Sequence, residues 1–269
     1  MLSEAMHEID KAFHPVTVDV SDAADLGQWL PRNMKVSHRH LARGCPSIDL
    51  AYAKLQPDCA AKIIPDSIYI GWPKTGLSNF TAAVERAAFA ALHPPRKQLC
   101  GWTGWLDNSQ RKRAFSIMRQ NATLFEAASV ICSHAVFNPT TMHLCLSLEE
   151  QVSRWACLVD IRGIGWSARV PMILHSGRPL LYVERNITAF YNVRPHAIQA
   201  WEHYIPVRAD LSDLNKQAHW VLQNPEQSQA IAERAQALAR AHFTYEAAVA
   251  TLARTLRQHI NSRADDAIV

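Results

Sequence analysis

The stretch from 157 to 184, CLVDIRGIGWSARVPMILHSGRPLLYVE, constrains the fold more than any other part of the chain. Two continuous apolar runs, WACLVDI and RPLLYVE, flank a glycine turn and a short amphipathic segment. A strand with water on one face alternates apolar and polar residues. A strand that is apolar throughout is covered on both faces, as in a parallel sheet layered by helices. Parallel neighbours need a crossover, and ARVPMILHSG is long enough for a short helix with Gly177 at its end. The order is therefore strand, glycine turn, helix, strand.

The turn reads Gly163-x-Gly165-x-x-Ala168, with Ile164, Trp166 and Ser167 between the small residues. Small residues let the backbone come close to a ligand. The free amides of a helix start then face that ligand with a partial positive charge. This is a site for a diphosphate. Arg162 and Arg169 add full charges, and a guanidinium matches phosphate oxygens with two parallel donors. Glu184 closes the next strand, where an acid can accept bonds from ribose hydroxyls. A turn whose glycines serve packing alone has the same pattern. A nicotinamide dinucleotide and a sugar nucleotide make the same demands, and the loop does not choose between them.

Elsewhere, HPVTVDVSD (14–22) alternates as a strand, and MKVSHRHLARG (34–44) is basic and irregular. Its Lys35, His38, Arg39, His40 and Arg43 form either a solvated face or a contact for phosphates and anionic membrane surfaces. CAAKIIPDSIYIGWPKTG (59–76) reads as a strand, a Pro-Asp turn and an aromatic loop. NFTAAVERAAFAALH (79–93) has helical spacing and stops at Pro94 and Pro95, so PPRK marks a domain boundary. KQLCGWTGW is a strand running into a turn. NSQRKRAFSIMRQ is a helix with Asn108 or Ser109 as its N-cap. HYIPV is a further strand, followed by helices over 210–224, 226–243 and from Tyr245 onward. Strands alternating with helices give an α/β class with parallel sheets.

With 269 residues, 48% hydrophobic, the chain can bury one large or two modest cores. A net charge of +4 suits a phosphorylated ligand and is too weak to demand nucleic acid. Six cysteines without a C-x-x-C pair read as reduced, buried thiols of a cytosolic protein. Thirteen histidines show no metal-ligand spacing. The N-terminus has no signal-like apolar run, and no segment approaches the length of a membrane span.

Three stretches now coincide: LVDIRGIGWSARVPMILHSGRPLLYVE, then AWEHYIPVRADLSDL, then IAERAQALARAHFT. In order and spacing the chain resembles the glycosyltransferase family 90 group. That group includes bacterial lipopolysaccharide-modifying sugar transferases and eukaryotic protein O-glucosyltransferases. Trp201, His203, Tyr204, Pro206 and Val207, followed by Asp210-Leu211-Ser212-Asp213, carry the most specific part of the match. Upstream, IIPDSIYIGWP and CGWTGW…NSQRKR resemble further family stretches, although Cys100 stands where the family has arginine. The similarity covers about 45–260.

The resemblance implies a GT-B-like α/β fold: two Rossmann-like domains with parallel sheets and a C-terminal helix packing back across the cleft. The domains fall at 1–95, for the acceptor, and 96–245, for the nucleotide sugar, with a terminal helix at 246–262. It implies an inverting transferase that moves a hexose or pentose from a UDP-sugar to a glycan hydroxyl, such as one of a lipopolysaccharide core. The setting is cytoplasmic, with peripheral contact at an anionic membrane. The general base is an early aspartate, for which Asp22 is the best placed and Asp19 and Asp25 are alternatives. Trp102, Thr103, Arg111 and the Arg162–Arg169 loop with Glu184 hold the donor. Asp66, Tyr69 and Trp72 form a wall for sugar, or else anchor a loop with buried aromatics. His203 and Tyr204 are structural. Because the chain contains no Asp-x-Asp pair, the leaving diphosphate is expected to be held without a metal, by the helix start, Arg169 and Arg111. An NAD-dependent oxidoreductase and a degenerate nucleotide-sugar-binding protein are the alternatives.

Overall fold

The computed structural model describes residues 79–130, 145–163 and 166–266, and before them the short segments 17–19, 35–37, 50–51, 53–54, 62–65, 67–70 and residue 77. Early strands β1 (Thr17–Asp19), β2 (Lys35–Ser37), β3 (Leu50–Ala51) and β5 (Lys62–Ile63) form a parallel sheet in the order β2-β1-β3-β5. The strand over 14–22 is thus seen as β1, while 34–44, read as irregular, contributes β2. Strand β4 (Ala53–Lys54) pairs antiparallel with β10 (Thr188–Ala189) and ties this region to the second half of the chain.

The second sheet consists of β6 (Lys97–Gly104), β7 (Phe125–Ser129), β8 (Trp155–Asp160), β9 (Leu180–Val183) and β11 (Ile205–Val207). All its pairs are parallel, in the order β11-β9-β8-β6-β7. The apolar runs WACLVDI and RPLLYVE form β8 and β9, and every residue of β9 is buried. Helices cover both faces, which is why these strands do not alternate. Helices α1 (Phe80–Ala91), α3 (Leu148–Arg154), α4 (Arg169–Ser176) and α6 (Pro225–His242) share a core with Trp155, Leu158 and Tyr182. Helices α2 (Ser109–Gln120) and α5 (Leu214–Gln223) cover the other face, with Trp102, Val159 and Leu181 beneath them.

Local chemistry sets the ends. Asn79 and Asn108 cap α1 and α2, each accepting an amide bond three residues on. Gly177 ends α4 at φ 77°, a left-handed conformation that favours glycine. Ser147 and Glu150 make a reciprocal capping box at α3. Terminal helix α7 (Tyr245–Asp266) contacts α6 and the turn at Ser67–Ile70. No helix among the described residues is long and apolar enough to cross a membrane.

The cysteine reading is corrected. Cys100 and Cys157 are partners across β6 and β8, with Cα atoms 4.5 Å apart, and they form a disulfide. Cys145 is disulfide-bonded as well. Directly paired positions on one face bring two sulfurs together whatever their distance in sequence. A search for C-x-x-C spacing does not detect such a pair. These three cysteines give no support to a reducing compartment.

Candidate functional site

From β6 the chain moves outward through α2 to β7; from β8 it moves the other way through α4 to β9. The direction of winding therefore reverses between β6 and β8. At such a switch point the loops leaving the carboxyl ends of two adjacent strands part and leave a crevice, the usual ligand site of open α/β sheets.

Residues 105–108 leave β6 at this crevice and residues 161–163 leave β8. Arg111, on the first turn of α2, fastens the two lips together. Its Nε and Nη2 donate to the Ile161 carbonyl at 3.3 and 3.1 Å, and its Nη1 donates to the Trp105 carbonyl at 3.1 Å. Asp107 lies 3.4 Å from the same Nη1, and Asn108 Nδ2 donates to the Arg162 carbonyl at 3.1 Å. Burial lowers the Arg111 pKa, partly offset by Asp107. A Cβ on Gly163 would stand 3.3 Å from an Asp107 carboxyl oxygen and 3.5 Å from Arg111 Nη2. Glycine there lets the loop lie against this ion pair.

At the end of β8 the Asp160 carboxylate is fully buried. Ser167 Oγ donates to one oxygen at 2.6 Å, and Arg169 Nη2 lies 3.4 Å from that same oxygen. Arg185 Nη2 donates to the other at 2.7 Å. Burial pushes this carboxyl up, but Arg185, Arg169 and the Ser167 hydroxyl outweigh burial and hold it below the usual carboxylate range. Arg185 is itself buried, and its Cζ lies 4.1 Å from the Tyr182 ring centroid. Burial pulls its pKa down, yet Asp160 leaves it raised overall. Arg169 Nη1 also donates to the Thr103 carbonyl at 3.0 Å, reaching across to β6. Among the described residues, Arg111, Arg169 and Arg185 thus share one field with Asp107 and Asp160, three cations against two anions. The surplus positive charge sits where β6 and β8 diverge. Beside it, between the ends of β9 and β11, a cleft of about 480 Å³ is lined by Glu184, Asn186, Asn192, Tyr182 and Tyr204.

The structure brings together Arg111, Gly163, Ser167 and Arg169 from the sequence-derived donor set, with Arg162 in the loop between them. Ala168 is the N-cap of α4, and Trp166 and Ala168 pack on the core. Glu184 is exposed at the end of β9. Thr103 contributes its carbonyl, while Trp102 points to the opposite face and is buried 6.2 Å from Phe115. Tyr69 is buried, its ring 4.8 Å from Phe80 and 6.0 Å from Phe190. Asp22, with Asp19 and Asp25 as its alternatives, was the expected base; Asp22 and Asp25 lie outside the described residues and Asp19 ends β1. Asp66, Trp72, Ile164 and Gly165 also lie outside them. His203 Nδ1 accepts from the Gln199 amide, the structural part expected of it.

Sequence reasoning missed Asp160, Arg185 and Asp107. The signal was present: an acid ending a fully apolar strand must be paired with a counter-charge.

Comparison with known proteins agrees with these motifs. The family model for glycosyl transferase family 90 matches residues 52–258. Protein O-glucosyltransferase 2 of Danio rerio is 25% identical over 147 residues, 53% of this chain and 28% of that protein. Protein O-glucosyltransferase 3 of Homo sapiens is 39% identical over 44 residues, 16% of this chain and 9% of that one. Uncharacterized protein 035R of Invertebrate iridescent virus 3 is 39% identical over 109 residues, 40% of this chain and 10% of that protein. The chain thus spans less than a third of the length of each of these relatives. With the family model covering most of it, the chain belongs to glycosyltransferase family 90.

Proposed function

We propose that the protein transfers a hexose or pentose from a UDP-sugar to an acceptor hydroxyl, with inversion at the sugar C1 and without a metal ion. The observation that carries this reading is the cationic surplus of Arg111, Arg169 and Arg185 at the β6–β8 switch point, which suits a diphosphate.

The chemistry asks three things of the chain. A base takes the acceptor proton, the hydroxyl oxygen attacks C1 in line, and the C1–O bond to the β-phosphate breaks with its electron pair leaving on UDP. Arg169, with Asp160 aiming one of its nitrogens and the Thr103 carbonyl another, faces the charge that develops on the diphosphate. Arg111 holds the loop against which the phosphates lie. No Asp-x-Asp pair is present to carry a cation, and guanidiniums supply the neutralising charge. The family resemblance makes Asp22 the base. The four-stranded and five-stranded parallel sheets serve as the two halves of a GT-B plan, the second one holding the nucleotide.

The acceptor is a glycan such as a lipopolysaccharide core. The names of the curated relatives point to protein hydroxyls as the competing acceptor class, which the same assay can score. UDP is expected to raise the melting temperature and NAD to leave it unchanged. The reverse result would replace this reading with a dinucleotide-binding oxidoreductase. UDP binding that survives Asp22→Ala while turnover of the donor disappears identifies an enzyme rather than a binding protein.

A further inference from the structure

Five large hydrophobic side chains among the described residues are strongly exposed: Phe89, Leu92, Trp105, Trp201 and Tyr245. Phe89 and Leu92 belong to the end of α1, before β6 begins, and Trp201 precedes β11. Both places lie toward the amino ends of the sheet strands. Tyr245 opens α7. Trp105 alone stands at the carboxyl edge, one residue after β6, with 52% of its surface open.

Its backbone is not loose. The Trp105 carbonyl accepts from Arg111, whose other donors reach β8's end, and Asp107 follows two residues on. The Trp105 backbone is thereby held on the lip of the crevice, two residues before Asp107, with its side chain exposed. Nothing in either core requires an indole here. The rest of the edge is already allotted in order. From β11 to β6 it carries the cleft with Glu184, Asn186 and Asn192, then the Asp160–Arg185–Arg169 cluster, then Trp105. Acid and amide groups in a cleft suit the hydroxyls and base edge of a nucleoside. The cations suit phosphates, and a flat apolar face beside an acid suits a pyranose ring, apolar on its C–H face and hydroxylated at its rim.

We infer that Trp105 is the platform on which the donor's sugar ring stacks, so that the nucleotide sugar lies along the sheet edge with its nucleoside at β9–β11 and its sugar over β6. This rests on the diphosphate reading above and adds the direction of the ligand and the residue that contacts the transferred group.

The test compares wild type, Trp105→Ala and Trp105→Phe by calorimetric titration with UDP and with UDP-glucose. The expected result is an unchanged melting temperature and unchanged UDP affinity in both variants. Binding of UDP-glucose weakens at least fivefold in the alanine variant and less in the phenylalanine variant. Equal losses for UDP and UDP-glucose would place the base on Trp105 and overturn the direction. Full retention of both affinities would overturn the platform while leaving the diphosphate site intact. Failure of the wild type to bind either nucleotide would overturn both this proposal and the reading beneath it.

Discussion

Replacing Asp160 by asparagine removes one charge from the centre of the site and almost no volume. Arg185 keeps only 1% of its side chain open to water, and Asp160 is fully enclosed. Breaking a buried pair from one side leaves the other charge uncompensated, at a cost of about 3–5 kcal/mol. Asparagine retains an acceptor for Ser167 or Arg185, so the lower end applies, about 3 kcal/mol. At roughly 2–4 °C per kcal/mol this lowers the melting temperature by roughly 6–12 °C. Urea unfolding followed by circular dichroism measures it directly: with a slope near 3 kcal/mol/M, the midpoint falls by about 1 M. Replacing Arg185 by methionine in the same chain removes the stranded charge and should return much of the loss. The double-mutant cycle then shows a coupling of about 1.5 kcal/mol or more. A loss under about 1 kcal/mol for Asp160→Asn, or strict additivity, would falsify the view that this pair is the electrostatic keystone of the crevice.

Other perturbations probe separate parts of the account. Arg169→Ala should cost ~3 kcal/mol of transition-state stabilisation, about a hundredfold in transfer rate; saturating EDTA should leave wild-type transfer unchanged, and a rate that collapses with chelator would contradict the metal-free scheme. Cys100 and Cys157 close a loop across a separation of 57 residues, so the double serine variant should lose about 4 kcal/mol by loop entropy; intact mass before and after alkylation reports the bond itself. Gly101→Ala would set a methyl 1.7 Å from the Trp155 ring, so little folded protein is expected by size exclusion. The Glu126 carboxyl, bonded first by Arg154 and also by Lys97 and Trp155, is drawn down to about 2 from 4.5. Its folded pKa is depressed, so its contribution is present above about pH 4.5 and lost as pH falls toward 2. The melting temperatures of wild type and Glu126→Gln should accordingly differ at pH 7 and converge over that window.

Much of the second half was legible because its physics is local. Apolar runs without alternation announced β8 and β9, Asn108 announced the start of α2, and Gly177 the end of α4. What stayed hidden depends on pairings between distant segments. Arg185 meets Asp160 only because β8 and β9 are neighbours, and Cys100 meets Cys157 only because β6 and β8 are. Trp102 and Tyr69 both stand in family-like stretches; strand alternation turns Trp102 under α2, and aromatic packing holds Tyr69 against Phe80, as the buried-anchor alternative has it. Strand β7 was missed because FEAAS is short and half-polar, as befits the edge of a sheet.

The most direct measurement is a crystal structure of the protein soaked with UDP. The account predicts both phosphates between the β6 and β8 loops, with Arg169 donating to them and no cation required in the density. Phosphates bound elsewhere on the molecule, or bridged to it through a metal ion, would contradict it.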